Sequence, residues 1–170
     1  MIELPEYAVV NRTLGCGLHP YRLLLPRFGE SPAVRRIQTP NIPIGPLMDD
    51  ARVKIKTGEG YLYVDVKIPA IMLIEDYYHK ANPLDLYLDL AHELTHLRQL
   101  VEGRNIWDHS LPYVDRPTEI EGYAVAVEEG IRLGMTEEQV IQHLSNPWLD
   151  DDEVDRLRRN IDHFLSESRL

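Results

Sequence analysis

The chain has 170 residues, of which 44% are hydrophobic and 27% charged, and its formal net charge is −10. That length suffices for one domain with a hydrophobic core, and the composition is typical of a globular protein rather than a disordered one. No cluster of basic residues is present that could bind a phosphate backbone. We therefore expect neither nucleic-acid binding nor attachment to an anionic membrane.

The cysteine and apolar content restrict the compartment and the type of metal site. Cys16 is the only cysteine, which excludes an internal disulfide and a zinc site built from several thiolates. The N-terminal residues lack the basic and apolar regions of a signal peptide, and no apolar run approaches the roughly 20 residues of a membrane-spanning helix. We expect a cytoplasmic protein with no membrane segment.

The first half of the chain predicts irregular structure followed by strands. Residues 1–50 are rich in proline and glycine, and we interpret them as a segment wrapped over the core of a single domain spanning residues 1–170. From residue 52 apolar and polar residues alternate, and a glycine-containing turn separates this run from the β-rich run 61–68. The two runs predict a β-hairpin, and residues 71–74 predict a further short strand.

The second half predicts helices. Residues 83–102 form the clearest helix, because Asn82 can cap it, Pro83 suits its first position and Gly103 is a natural stop. Three more helices are expected: one that begins at a possible capping box of Thr118 with Glu121 and ends near residue 134, one over about 136–145, and one over about 151–166. Strands followed by helices indicate an α+β fold with a small antiparallel sheet and a helical C-terminal half.

The 83–102 helix carries the motif His92-Glu93-Leu94-Thr95-His96. Histidines four apart project from one helix face, about 40° apart in azimuth and about 6 Å apart along the axis, so both imidazoles can reach one zinc ion. Glu93 lies roughly 100° around the helix from His92. It can therefore act as a general base toward a metal-activated water without being a ligand itself.

A catalytic zinc usually needs a third protein ligand, and the next helix offers Glu119 and Glu121. A helical wheel places Glu119 at the border of the buried face, beside the small residue Gly122. Glu121 lies on the side that we expect to face solvent, and it also suits the capping box with Thr118. Glu119 is our choice, with Glu121 as the alternative.

The two motif helices together resemble the gluzincin branch of the zincin metallopeptidases. His-Glu-Leu-Thr-His on the first helix and Glu119-Ile120-Glu121-Gly122 on the second carry this resemblance, which covers roughly residues 52–134. It implies a zincin-like fold, a His-His-Glu zinc site and peptide hydrolysis. The metzincin pattern does not fit, since Gln99 and Glu102 stand where that class has glycine and histidine.

The resemblance also implies supporting groups, for which the sequence offers several candidates. Tyr123 stands where many gluzincins have an acidic residue that orients a histidine, so we expect Asp89 to take that role. A donor to the oxyanion of the intermediate is expected among Tyr113, Tyr123 and His109. The strand within 61–68 is a candidate to bind substrate backbone as an added strand.

Two further predictions concern side chains with a structural role. We expect Arg98 and Gln99 to hold the second helix through its carboxylates. Trp107 and Trp148 are expected to be packing anchors.

The resemblance implies a zinc-dependent metallopeptidase that acts on a peptide or protein substrate. His92, His96 and Glu119 are the expected ligands and Glu93 the catalytic base. The alternative is a regulatory or binding module of the same fold, in which the zinc is structural or vestigial and no proteolysis occurs. The oligomeric state is left open.

Overall fold

The computed structural model describes residues 1–168, which contain a four-stranded sheet and eight α-helices. The strands are β1 (Gly17–Pro20), β2 (Arg52–Lys56), β3 (Leu62–Asp65) and β4 (Ala70–Ile74). The helices are α1 (Tyr21–Leu24), α2 (Val34–Ile37), α3 (Ile44–Asp50), α4 (Glu75–Lys80), α5 (Pro83–Val101), α6 (Pro117–Arg132), α7 (Glu137–Leu144) and α8 (Asp151–Glu167). This mixture of α and β agrees with the α+β prediction.

The sheet is mixed, and its strand order is β1-β2-β4-β3. β2 pairs with β1 antiparallel and with β4 parallel, while β3 pairs with β4 antiparallel. The predicted hairpin of residues 52–57 with residues 61–68 is therefore wrong, as is the prediction of a purely antiparallel sheet. The alternation of apolar and polar residues predicted strands β2 and β3 but not the strand with which each pairs. β4 is apolar and buried along its whole length, and it lies between β2 and β3 in the sheet.

Residues 1–50 contribute to the sheet and the core, so the interpretation as an irregular wrapping segment is wrong in part. They supply β1, three short helices and fully buried side chains that include Tyr21, Leu24 and Phe28. The Tyr21 hydroxyl donates a hydrogen bond to the carbonyl of Leu90 in α5 at 3.1 Å. Proline and glycine break regular elements locally, but the apolar residues between them still pack in the core.

Helix α5 lies at the centre of the molecule, and its predicted bounds are confirmed. The Asn82 side chain accepts from the backbone N–H of Leu84, and Pro83 occupies the first turn. Gly103 follows the helix with φ 77°, and the backbone N–H of Arg104 donates to the carbonyl of Gln99. All positions from Leu84 to Gln99 except Asp85 and Asp89 are buried, so α5 packs on the sheet on one side and on α6 on another.

The C-terminal half consists of α6, α7 and α8, as predicted, with one correction at the start of α6. That helix begins at Pro117 without a side-chain cap, so the capping box of Thr118 with Glu121 is absent. Thr118 lies inside the first turn, and its buried hydroxyl has no hydrogen-bond partner. Helices α7 and α8 do begin with capping boxes, at Thr136 and Asp150. Within residues 1–168, no helix is both long and apolar enough to cross a bilayer.

Gly103→Ala should destabilise the protein by about 1 kcal/mol, because an L-residue is strained at a positive φ. Steric overlap is not involved, since nothing lies within 4 Å of the position that a Cβ would take. Gly45→Ala is the matched control: this glycine lies in α3 without a positive φ, also with open space around it. Urea denaturation measures both free energies of unfolding, and equal stabilities of the two variants would contradict the role of Gly103.

Candidate metal centre

Helix α5 carries His92 and His96 on the face that packs toward α6. Both imidazoles are buried, with 5% and 4% of their surface exposed. Their Nε2 atoms lie 2.9 Å apart, and the ring planes are inclined at 75°. The i, i+4 spacing puts the two side chains one above the other on the helix, so two nitrogen lone pairs can point at one position.

Helix α6 adds Glu119 to the two histidines. Its Oε2 lies 3.2 Å from His92 Nε2 and 3.4 Å from His96 Nε2, and one ligand atom from each residue lies within 4.8 Å of the others. Glu121 does not join this group. It binds Arg98, Gln99 at 2.9 Å and Arg104 at 2.6 Å, so its carboxylate is held away from the histidines rather than in solvent.

The close approach of α6 to His92 depends on Gly122. A Cβ at that position would lie 3.0 Å from the Cε1 and Nε2 atoms of His92, tighter than ordinary van der Waals contact. The Tyr123 ring contacts His92 edge-on, with ring centroids 4.4 Å apart. The glycine and the tyrosine together fix where the His92 imidazole can lie.

The tautomer of His96 follows from its hydrogen bonds. The Gln99 amide nitrogen donates to the carbonyl of Thr118 at 3.1 Å and to Glu121 Oε2 at 2.9 Å. Its Oε1 therefore accepts, and the partner at 2.7 Å is His96 Nδ1, which must carry the proton. In the neutral imidazole this leaves the lone pair on Nε2, the atom that faces Glu119.

Gln99 thus orients His96, a role that the sequence analysis assigned to Asp89. Gln99 lies three residues after His96 on the same helix face, which is a signal in the sequence, although only its structural role toward the second helix was predicted. That role is confirmed, since both Arg98 and Gln99 bind Glu121. The expectation for Asp89 is wrong: its carboxylate accepts from the Tyr77 hydroxyl and faces His143 at 3.6 Å.

The donor set fits a metal ion. Two imidazole nitrogens and a carboxylate oxygen converge in a buried place, and Glu119 Oε2 has no hydrogen-bond partner there. Buried acceptors that face one another without a donor are unfavourable unless a proton or a cation lies between them. His92, His96 and Glu119 could therefore hold a metal ion.

Glu93 lies beside this group on α5 but is not part of it. The residue is buried, and its Oε2 has no hydrogen-bond partner. Burial raises the pKa of the Glu93 carboxyl, because a charged form is poorly solvated in the interior, and the nearby Glu119 raises it further. Glu93 is thus a stronger base than a carboxylate in water.

A cleft of about 1110 Å³ gives access to His92, Glu93, His96 and Glu119. Two of the predicted oxyanion donors line it: the hydroxyls of Tyr113 and Tyr123 lie 2.8 Å apart, and Asn146 Nδ2 donates to Tyr123 at 2.7 Å. The third candidate, His109, is exposed and contacts Arg116 at 3.3 Å; it does not line the cleft.

The tryptophans are not packing anchors, so that prediction is wrong. Trp107 and Trp148 are 39% and 57% exposed and line the cleft. Trp148 contacts Tyr61 and Tyr113, at centroid distances of 6.5 Å and 6.1 Å. These rings therefore form part of the cleft wall.

Comparisons of the chain with models of protein families, with curated proteins and with solved structures found no match. The resemblance to gluzincin peptidases therefore stays an expectation drawn from the two helix motifs.

Glu119→Gln should weaken metal binding by more than about 100-fold, because it removes the anionic ligand. Glu121→Gln should weaken metal binding by at most about tenfold, since Glu121 contacts Arg98, Gln99 and Arg104 rather than the metal position. Competition with a chelator on both purified variants measures the affinities, with His92→Ala and His96→Ala as non-binding references. A larger loss in Glu121→Gln would reverse the choice of third ligand.

Metal affinity should rise with pH, by roughly tenfold per unit between about pH 7 and 9. In the metal-free protein burial lowers the pKa of His96, but the Glu119 carboxylate outweighs burial and the pKa rises to about 9. His96 is therefore protonated near neutral pH and must release that proton to bind metal. Calorimetry in buffers of different ionisation enthalpy should detect about one proton released per metal ion bound at pH 7. Metal binding without proton release would contradict the protonated state of His96.

Proposed function

We propose that the protein is a zinc-dependent metallopeptidase that hydrolyses peptide bonds through a metal-activated water. Two imidazoles and one carboxylate are a ligand set that catalytic zinc uses, with a further position left for water. The observation that carries the proposal is the unpartnered Oε2 of Glu93, buried beside the His-His-Glu group at the cleft. A structural zinc site is closed and has no use for such a base.

The roles of the residues follow from their positions. Zinc held by His92, His96 and Glu119 would lower the pKa of a water molecule and make it nucleophilic at neutral pH. Glu93 accepts the proton of the attacking water and passes it to the leaving amine. Its raised pKa favours the first transfer, because a base of higher pKa holds the proton of the water more tightly.

The hydroxyls of Tyr113 and Tyr123 supply the donor for the oxyanion. Burial raises the pKa of both, so each keeps its proton. Two hydroxyls that share one hydrogen bond use one of their two protons, and Asn146 only donates to the pair. One O–H is therefore left to donate to a ligand in the cleft.

The edge strand β3 suits the backbone of an extended substrate. β3 is at one end of the strand order, and residues 60–64 line the cleft together with the candidate metal ligands. An extended peptide can pair with such an edge and lie across the cleft. The substrate class that this favours is a peptide or an unfolded protein segment.

Glu93→Gln should lower peptide cleavage by about 10²–10⁴-fold while zinc content stays unchanged, because the variant keeps the ligands and loses the base. Internally quenched peptides of mixed sequence provide the assay, and elemental analysis gives the zinc content. Glu138→Gln is the matched control, an exposed glutamate of α7 outside the cleft.

Two results would contradict the proposal. Equal cleavage by the Glu93→Gln variant would remove Glu93 from the mechanism. If the zinc-loaded parent cleaves none of the peptides, the alternative of a binding module with a structural zinc replaces the enzyme.

A further inference from the structure

The cleft that contains the candidate metal centre is lined by acidic and aromatic residues. Its carboxylates are Glu59, Asp85, Asp89, Glu93 and Glu119, whereas none of the lysine and arginine side chains that the structure describes lines it. A divalent ion at the centre would offset Glu93 and Glu119 only. The remaining carboxylates leave the rest of the cleft with an excess of negative charge, which attracts cationic ligands.

Three of the lining residues form a compact cluster at the N-terminal end of α5. Asp85 and Asp89 are four residues apart on that helix and flank His143 of α7. His143 Nδ1 lies 2.8 Å from Asp85 Oδ1, and Nε2 lies 3.6 Å from Asp89 Oδ1. Two carboxylates and one imidazole carry a net negative charge whether the imidazole is protonated or neutral.

The cluster has one polar atom without a partner. Only 4% of the His143 side chain is exposed, and Nε2 makes no hydrogen bond. In the neutral ring Nδ1 donates to Asp85, and Nε2 and Asp89 Oδ1 are then two acceptors that face each other with no donor between them. Burial lowers the pKa of His143, but Asp85 and Asp89 outweigh burial and raise it, and the protonated ring directs its Nε2–H toward Asp89 at 3.6 Å. In the neutral state a ligand that brings several N–H donors and a positive charge satisfies both acceptors.

Aromatic rings continue this cluster toward the mouth of the cleft. The Tyr77 hydroxyl donates to Asp89, and the Tyr77 ring contacts Tyr61 edge-on with centroids 5.1 Å apart. Tyr61 in turn contacts Trp148. The faces of tyrosine and tryptophan rings attract ammonium and guanidinium groups, so rings and carboxylates here favour the same type of ligand.

The cluster adjoins the candidate metal centre. Asp89 precedes His92 by three residues on α5, which is about 4.5 Å along the helix axis. A peptide whose scissile bond lies at His92 and His96 would therefore place a neighbouring side chain against Asp89, Asp85 and the aromatic rings.

We propose that Asp85, Asp89 and His143, with the rings of Tyr61 and Trp148, form a subsite for a lysine or arginine side chain of the bound peptide. The assignment rests on the proposed function in that the bound ligand is a peptide. The carboxylates of the subsite accept hydrogen bonds from the cationic group, and the rings pack against the methylene stem of the lysine or arginine.

The first test uses the zinc-loaded wild-type protein and quenched peptides that differ at one position. Peptides with arginine or lysine at one position near the scissile bond should have a kcat/KM at least about tenfold higher than the peptide with norleucine at that position. The difference in kcat/KM from the glutamate peptide should be larger still. Asp85→Asn should lower cleavage of the arginine peptide more than cleavage of the norleucine peptide, so that most of the preference for arginine is lost. Asp50→Asn, an exposed aspartate outside the cleft, is the matched control.

The second test measures binding and does not require cleavage. The zinc-loaded Glu93→Gln variant is titrated with Ac-Ala-Ala-Arg-Ala-Ala-NH₂ and with its norleucine and glutamate analogues, followed by tryptophan fluorescence. The arginine peptide should bind at least about fivefold tighter than norleucine, and Trp148→Leu or Asp85→Asn should abolish the difference. Thermal unfolding and zinc content establish that both variants are folded and loaded.

The outcomes separate this inference from the proposed function. Cleavage without preference for a cationic residue, together with equal binding of the three peptides, overturns the subsite and leaves the peptidase standing. Charge-selective binding without any cleavage supports the subsite and overturns the peptidase.

Discussion

The contact between α5 and α6 is the feature on which the candidate metal centre depends, because it brings two histidines of one helix and a glutamate of the other into a buried space. The contact is close where Gly122 lies against the His92 ring, and a methyl group there would meet that ring at 3.0 Å. Two imidazole nitrogens and a carboxylate oxygen that face one another in a buried space are unfavourable unless a proton or a cation lies between them. A bound cation attracts the two imidazole nitrogens and the carboxylate, so metal binding and the stability of the helix pair are linked.

Ion pairs and hydrogen bonds of Glu121 keep that pair of helices in register. Glu121 binds Arg98, Gln99 and Arg104, three residues of α5 and the turn after it. The same Gln99 fixes the proton of His96 on Nδ1. Of the two glutamates of α6, Glu119 therefore faces His92 and His96, while Glu121, two residues on, holds the helix and sets the tautomer of His96 through Gln99. The two carboxylates are close in sequence, and the helix separates them by about 200°.

The cleft combines properties that serve binding more than stability. Its walls expose Trp107 and Trp148 and leave Glu93 Oε2 and His143 Nε2 without partners. Unpartnered buried groups and exposed large rings both disfavour the folded state unless a ligand covers them. The core beneath, built from the sheet and the buried face of α5, supplies the stability that allows this arrangement.

Local chemistry in the sequence determined α5, its cap at Asn82 and its stop at Gly103, because those signals act within one helical turn. It also determined that His92 and His96 share a face, and the periodicity of α6 favoured Glu119 over Glu121. Tertiary structure alone decided that β4 separates β2 from β3, since strand pairing joins residues distant in the chain and alternation does not name the partner. It alone brought His143 of α7 to Asp85 and Asp89, and Trp148 to Tyr61, because no short-range spacing links those residues.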